Sequence, residues 1–181
     1  MRCFIGLPLP DDVCAALADL TAGLRTGRPV AEDNLHLTLA FLGEVELPEL
    51  EALHAALSDI AFAPFDLRLA GLDMFGGRRP AVVFIRGDGG EALLRLQSRV
   101  TAAARSAGID LRRERFRPHV TLARFRRDMR VEDTDKLGAF LAAHGDAALA
   151  PFGVDAFALY RSTLHPDGPV YEVLADYPAS A

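Results

Sequence analysis

Two histidine–threonine pairs carry the chemistry that can be read from this chain. His36-Leu37-Thr38-Leu39-Ala40 returns as His119-Val120-Thr121-Leu122-Ala123, 83 positions later (119 − 36). Both segments alternate, which is the period of a β-strand. On such strands His36 and Thr38 share one face while Leu37, Leu39 and Phe41 take the other, and His119 and Thr121 are set against Val120 and Leu122 in the same way. Side chains two apart on a strand stand roughly 7 Å from each other. Two facing pairs would hold one phosphate group between them.

An imidazole with an ordinary pKa of roughly 6.5 can take or give a proton near neutral pH. One histidine can therefore activate an attacking oxygen while the other protonates the leaving oxygen of a phosphodiester, and the residues leave open which does which. Thr38 and Thr121 would donate hydrogen bonds to the non-bridging oxygens, and Arg124, which ends the second motif, would neutralise charge that builds there. A zinc site would need further Cys, His or carboxylate ligands at ligand spacing, and neither motif has them nearby. No serine occupies a nucleophile-elbow setting, and Gly87, Gly89 and Gly90 follow no phosphate-loop pattern. Chemistry without a metal or a cofactor is expected. The other three histidines have structural explanations: His54 lies beside an apolar helical stripe, His144 at a helix end and His165 in a turn sequence.

The chain has 181 residues, half of them hydrophobic, which is enough for a full core and excludes general disorder. No run reaches the ~20 apolar residues of a membrane span, and the start lacks the pattern of a signal peptide, so a cytoplasmic protein without a membrane partner is expected. Cys3 and Cys14 read as buried free thiols. The net charge of −5 argues against a general nucleic-acid coat. It hides a basic cluster, Arg112, Arg113, Arg115, Arg117, Arg124, Arg126, Arg127 and Arg130, around the second motif, and this cluster favours a phosphorylated ligand.

The elements that must position the motifs follow from periodicity. A strand over Cys3 to Leu7 leads to a helix from Asp11 whose Val13, Leu17, Leu20 and Leu24 face inward. After the first motif a helix opens at Pro48 and buries Leu50, Leu53, Leu57 and Ile60. Phe65 to Leu69 reads as a half-buried strand, Gly71 to Pro80 as an irregular segment with Arg78 and Arg79, and Ala81 to Ile85 as a central strand. Glu91 to Ala107 is the clearest helix, and a shorter one, capped by Thr134 or Asp135, runs through Leu137, Phe140 and Leu141. Val154 to Tyr160 and Val170 to Leu174 read as strands joined by the turn His165-Pro166-Asp167-Gly168. Two halves of similar element order suggest two α+β lobes facing one another across a cleft.

The paired motifs resemble a known family, together with Phe4 to Pro10, Glu32-Asp33-Asn34-Leu35, Phe116-Arg117-Pro118, Tyr160-Arg161-Ser162 and Tyr171-Glu172-Val173-Leu174. It is the RNA 2′,3′-cyclic phosphodiesterases, or 2′-5′ RNA ligase family, within the two-histidine (2H, HXTX-motif) phosphoesterase superfamily. The resemblance implies one bilobal α+β domain over residues 1–181. Two pseudo-symmetric lobes with antiparallel sheets would surround a central cleft, with helices outside and one His-x-Thr strand in each lobe. It also implies a hydrolase that opens a terminal 2′,3′-cyclic phosphate on RNA to a 2′-phosphate without metal or cofactor, together with reversible 2′-5′ RNA ligation. Carried over by position, His36 is the proton donor, His119 the proton acceptor, and Thr38, Thr121 and Arg124 the phosphate contacts. Phe41 is a candidate substrate contact, although its alternation turns it to the core. The implied partner is an RNA end, such as a tRNA fragment, and the implied state a monomer. Two other readings keep the residues but change the role: a cyclic phosphodiesterase for a small nucleotide or an ADP-ribose cyclic phosphate, and a non-catalytic RNA-end binding module. The chain has no Trp, where relatives carry Trp before the first motif and at the position of Phe84.

Overall fold

The computed structural model describes residues 1–77, 79–126, 128–166 and 168–180; Arg78, Arg127 and Asp167, named above, lie outside the described residues. The first strand, β1 (Arg2–Pro8), ends at the proline pair, and α1 (Asp11–Ala22) begins with Asp11 and Asp12 in its first turn, where carboxylates meet the positive end of the helix dipole. A two-residue strand, β2 (Arg28–Pro29), and a 3-10 turn over Glu32–Asn34 lead into β3 (His36–Glu44), the first motif. Glu46 and Glu49 then close a reciprocal capping box on α2 (Leu47–Ser58). The next elements are β4 (Phe65–Phe75), β5 (Val82–Asp88), α3 (Gly90–Ser106) and β6 (His119–Arg124), the second motif. The chain ends with α4 (Val131–His144), β7 (Phe152–Val154), β8 (Ala156–His165) and β9 (Gly168–Pro178).

All strand pairs are antiparallel, in the order β7-β4-β5-β6-β3-β1-β8-β9, with β2 alongside β6. The order exposes a repeat. The series β1-α1-β3-α2-β4 recurs as β5-α3-β6-α4-β8. In each copy the third strand leaves its own unit and pairs with the first strand of the other, β4 with β5 and β8 with β1. The halves meet where β3 and β6 run side by side, at the pair Leu37–Val120. That pair lies one residue after each histidine.

One face of the sheet is core. Ile5, Leu7, Leu37, Leu39, Val83, Ile85, Val120 and Leu122 are all nearly inaccessible and share one cluster with Leu17, Leu53, Leu57, Leu96, Val100 and Leu137 of helices α1 to α4. Burying each such aliphatic side chain contributes about 1.5–3 kcal/mol. This apolar clamp fixes which way the intervening histidines and threonines point. The other face carries a second, small cluster of Phe4, Ala158 and Tyr160, with Tyr171 packed on it.

Three expectations need correction. Gly71 to Phe75 is not irregular: β4 continues to Phe75, paired with β5, across a register shift between Leu69 and Leu72. Gly71 permits that shift with φ +80°, and a Cβ there would lie 2.2 Å from Nη2 of Arg86. The last helix starts at Val131, because Thr134 turns its hydroxyl back to the carbonyl of Arg130 at 3.3 Å instead of capping. Finally, Phe41 does not face the core; it is 53% exposed. The pairing skips Leu39 between Gly6–Thr38 and Ile5–Ala40, and it skips Leu122 in the same way between Phe84–Thr121 and Val83–Ala123. Each motif therefore contains a β-bulge just after its threonine. Phe4 and Gly6, two apart on β1, pair with Phe41 and Thr38, so these two share a face although three apart. Val82 and Phe84 do the same for Arg124 and Thr121. The bulges turn Phe41 and Arg124 onto the face of the histidines.

Candidate active site

With Leu37 opposite Val120, the antiparallel register continued by one residue sets Thr121 beside His36 and Thr38 beside His119. Both His-Thr pairs thus lie around one centre on the open face, and all four side chains are partly exposed there. Arg124 is exposed on the same face, and its charge is felt by both imidazoles. Phe41 takes the equivalent position in the other half, with Arg2 Cζ 4.9 Å from its ring centroid. The structure therefore brings the five polar residues together and places Phe41 farther along β3 on the same surface.

Each imidazole is anchored by the carbonyl two residues before it. His36 Nδ1 lies 2.8 Å from the Asn34 oxygen, and His119 Nδ1 lies 2.6 Å from the Arg117 oxygen. A carbonyl can only accept, so Nδ1 carries the proton in both rings and Nε2 is the atom free to exchange one. Nε2 of neutral His36 accepts from the Thr38 hydroxyl at 3.0 Å. Burial pushes the His36 pKa from 6.5 down to about 4; the Asn34 bond opposes this, while the Arg124 charge and His119 add to it. His119 is also lowered, first by burial and then by the charges of Arg117 and Arg124, against the raising effect of its bond to Arg117. Both rings are neutral at pH 7 in the free protein.

Aromatic walls hold the rings, and these were not legible as site residues. His36 stacks on Phe4 at 4.5 Å and meets the edge of Tyr171 at 5.3 Å. His119 lies 4.9 Å from Phe84 and 5.0 Å from Phe75, over which Arg117 Cζ sits at 4.8 Å while its Nη2 is 3.6 Å from Asp73 Oδ2. Gly6 provides space under His36: a Cβ there would be 3.0 Å from the Leu37 oxygen and 3.3 Å from His36 Cδ2. A glycine between two fully buried strand residues was the available signal for such a close approach. The other described arginines of the basic cluster are exposed, with Arg126 paired to Asp128 at 3.6 Å. His54 Nδ1 is 2.8 Å from the Tyr177 hydroxyl, and the His144 ring lies 5.0 Å from Phe140, both away from this centre. Cys3 and Cys14 are buried and free. Among the described residues no three His, Cys, Asp or Glu side chains converge closely enough to hold a metal ion, and no helix is long and apolar enough to cross a membrane.

This geometry can be set beside known proteins. An RNA 2′,3′-cyclic phosphodiesterase of Thermus thermophilus is 36% identical over 98% of this chain and 89% of its own length. One from Geobacillus stearothermophilus is 34% identical over 97% of this chain, which spans only 56% of that relative. The crystal structure of E. coli LigT in apo form superposes with a TM-score of 0.79 at 27% identity, covering 99% of this chain and 98% of that one. The α+β fold is that of the two-histidine phosphoesterases. The family model described as the 2′-5′ RNA ligase superfamily matches residues 9–166, and the chain belongs to that superfamily.

Proposed function

We propose that this chain is an RNA 2′,3′-cyclic phosphodiesterase that opens the terminal cyclic phosphate to a 2′-phosphate without a metal. The observation that carries the reading is the Leu37–Val120 pair, which puts two Nε2 atoms and two threonine hydroxyls around one centre. The names of the relatives support the same activity. His119 Nε2 takes a proton from water as its oxygen attacks phosphorus, the P–O3′ bond breaks in line, and the proton on His36 Nε2 passes to O3′. Thr121 and Arg124 stabilise the charge on the non-bridging oxygens.

The low pKa of His36 matters here. In the free protein the ring is neutral and Thr38 donates to it. An anionic phosphate bound beside Arg124 raises the proton affinity of His36. Once His36 Nε2 carries a proton, the Thr38 hydroxyl is released to donate to the phosphate instead. The acid is loaded together with the substrate, by this reading. Because both histidines come from one chain, a monomer suffices. Phe41 offers a stacking surface for a base farther along the RNA, which aromatic faces commonly provide. Ligation follows the same course with the 5′-hydroxyl of a second RNA attacking in place of water, and cleavage of the resulting 2′-5′ linkage is its reverse.

The test is an RNA oligonucleotide with a 2′,3′-cyclic phosphate end, with the product followed by phosphorus NMR. A 2′-phosphate is expected. A 3′-phosphate would exchange the bond that breaks, and no reaction would remove the proposed activity.

A further inference from the structure

The two halves of the open face differ in charge. On the His119 side stand Arg117 and Arg124, with Arg28 directly across from Arg124. On the His36 side lies a cavity of about 580 Å³, walled by the end of β1, the start of α1, the Glu32–Asn34 turn and strands β8 and β9. Three carboxylates line it, Asp11, Glu32 and Asp33, and no Lys or Arg among the described residues does. These carboxylates do not gather into a metal site. A buried donor faces the same space. Tyr160 is only 9% exposed and lines the cavity, and its hydroxyl has no hydrogen-bond partner among the described residues. The hydroxyl is not fully sealed from solvent, and the cavity is the space that Tyr160 lines. Tyr171 adds an aromatic wall that also touches His36 edge-on.

The volume suits a nucleoside, and acceptor-rich walls with a free phenol donor suit a nucleobase rather than a phosphate. We propose that this cavity seats the terminal base of the substrate and selects bases with an exocyclic amino group, adenine, cytosine or guanine, over uracil. The inference rests on the phosphodiesterase reading, because in-line displacement puts the ribose bearing the departing O3′ on the His36 side. Carboxylates only accept hydrogen bonds. An amino group satisfies them, whereas the O4 carbonyl of uracil opposes them. The Tyr160 hydroxyl pairs with a ring nitrogen or carbonyl of the selected base.

The experiment compares kcat/KM for the four nucleoside 2′,3′-cyclic phosphates with the wild type, the Glu32→Gln/Asp33→Asn double variant and Tyr160→Phe, all checked for unchanged thermal unfolding. The wild type should favour the three amino-bearing bases over uracil by about tenfold. The double variant, whose amides can also donate to O4, should bring that ratio close to one, and Tyr160→Phe should lower kcat/KM for the amino-bearing substrates several-fold. Equal rates on all four, or a ratio that survives the double variant, overturn the assignment. Calorimetric binding of adenosine and uridine 2′-monophosphates reads the preference without turnover, and equal affinities would also overturn it. Turnover of none of the four by folded wild type, with the binding preference present, would instead strike the phosphodiesterase reading underneath.

Discussion

The His36 half and the His119 half share a backbone and differ in what fills it. Both put a carbonyl on Nδ1 from two residues back, and both carry a bulge after the threonine that turns the fifth residue past the histidine onto the open face. Where the first half has Gly6 the second has Phe84, paired respectively with Thr38 and Thr121. Where the first has Phe41 the second has Arg124. The shared backbone fixes which nitrogen is free to exchange a proton; in the proposed mechanism the side chains that differ divide the work. His36 sits deeper, tied to Thr38 and beside an acidic cavity, which suits a group that receives its proton only when substrate arrives. His119 is set among arginines, which suits a neutral base beside an anionic ligand.

That division can be broken at matched positions. Among the positions that differ between the halves the largest loss is expected at Arg124: Arg124→Ala should lower kcat/KM about 100-fold, the usual size for removing a transition-state charge donor, while Phe41→Ala should lower it less than tenfold. Equal losses would mean that the two positions are not distinguished. Next, Thr38→Val should cost roughly tenfold more in kcat than Thr121→Val, because Thr38 alone also holds Nε2 of its histidine; the reverse order would remove the proposed hand-over of the hydroxyl. A smaller effect should come from Gly6→Ala, whose methyl pushes against His36 and the Leu37 carbonyl. A several-fold drop in kcat with little change in KM is expected. Phe84→Ala, by contrast, empties a site that is 1% exposed and should lower stability by about 3–5 kcal/mol in denaturant unfolding.

The finest comparison is in titration. His36 carries its ordinary value of 6.5 in the unfolded chain and about 4 in the folded one. Between these values the unfolded state binds more protons, so this group's contribution to stability is full above pH 6.5 and is lost as the pH falls toward 4. Imidazole NMR should show His36 titrating near 4 in the free protein and moving upward when inorganic phosphate is added, by more than His119. A His36 that titrates near 6.5 without ligand would contradict the burial that its environment imposes.

Much of the site was legible because strand alternation is local. His36, Thr38, His119 and Thr121 share a face as their spacing implies, and the apolar stripe of α3 over Leu93, Leu96, Val100 and Ala104 is buried as its period implies. Phe41 was misplaced because a bulge is set by the partner strand: nothing within the first motif marks Leu39 as the unpaired residue. The aromatic walls were hidden for a related reason. Tyr160 and Tyr171 come from β8 and β9, and only the crossing of β8 to β1 brings them to Phe4 and His36. Gly71 to Phe75 looked irregular because glycine and charge interrupt it, yet pairing with β5 carries the strand through.

The central claim is that two imidazoles on paired strands pass protons to and from one phosphate. The most direct test is hydrolysis of a nucleoside 2′,3′-cyclic phosphate in excess EDTA by the wild type, His36→Ala and His119→Ala. Full wild-type activity with a 2′-phosphate product, and a loss of about a thousandfold or more in each variant, is the predicted result. Activity that EDTA abolishes, or that either single variant retains, would contradict it.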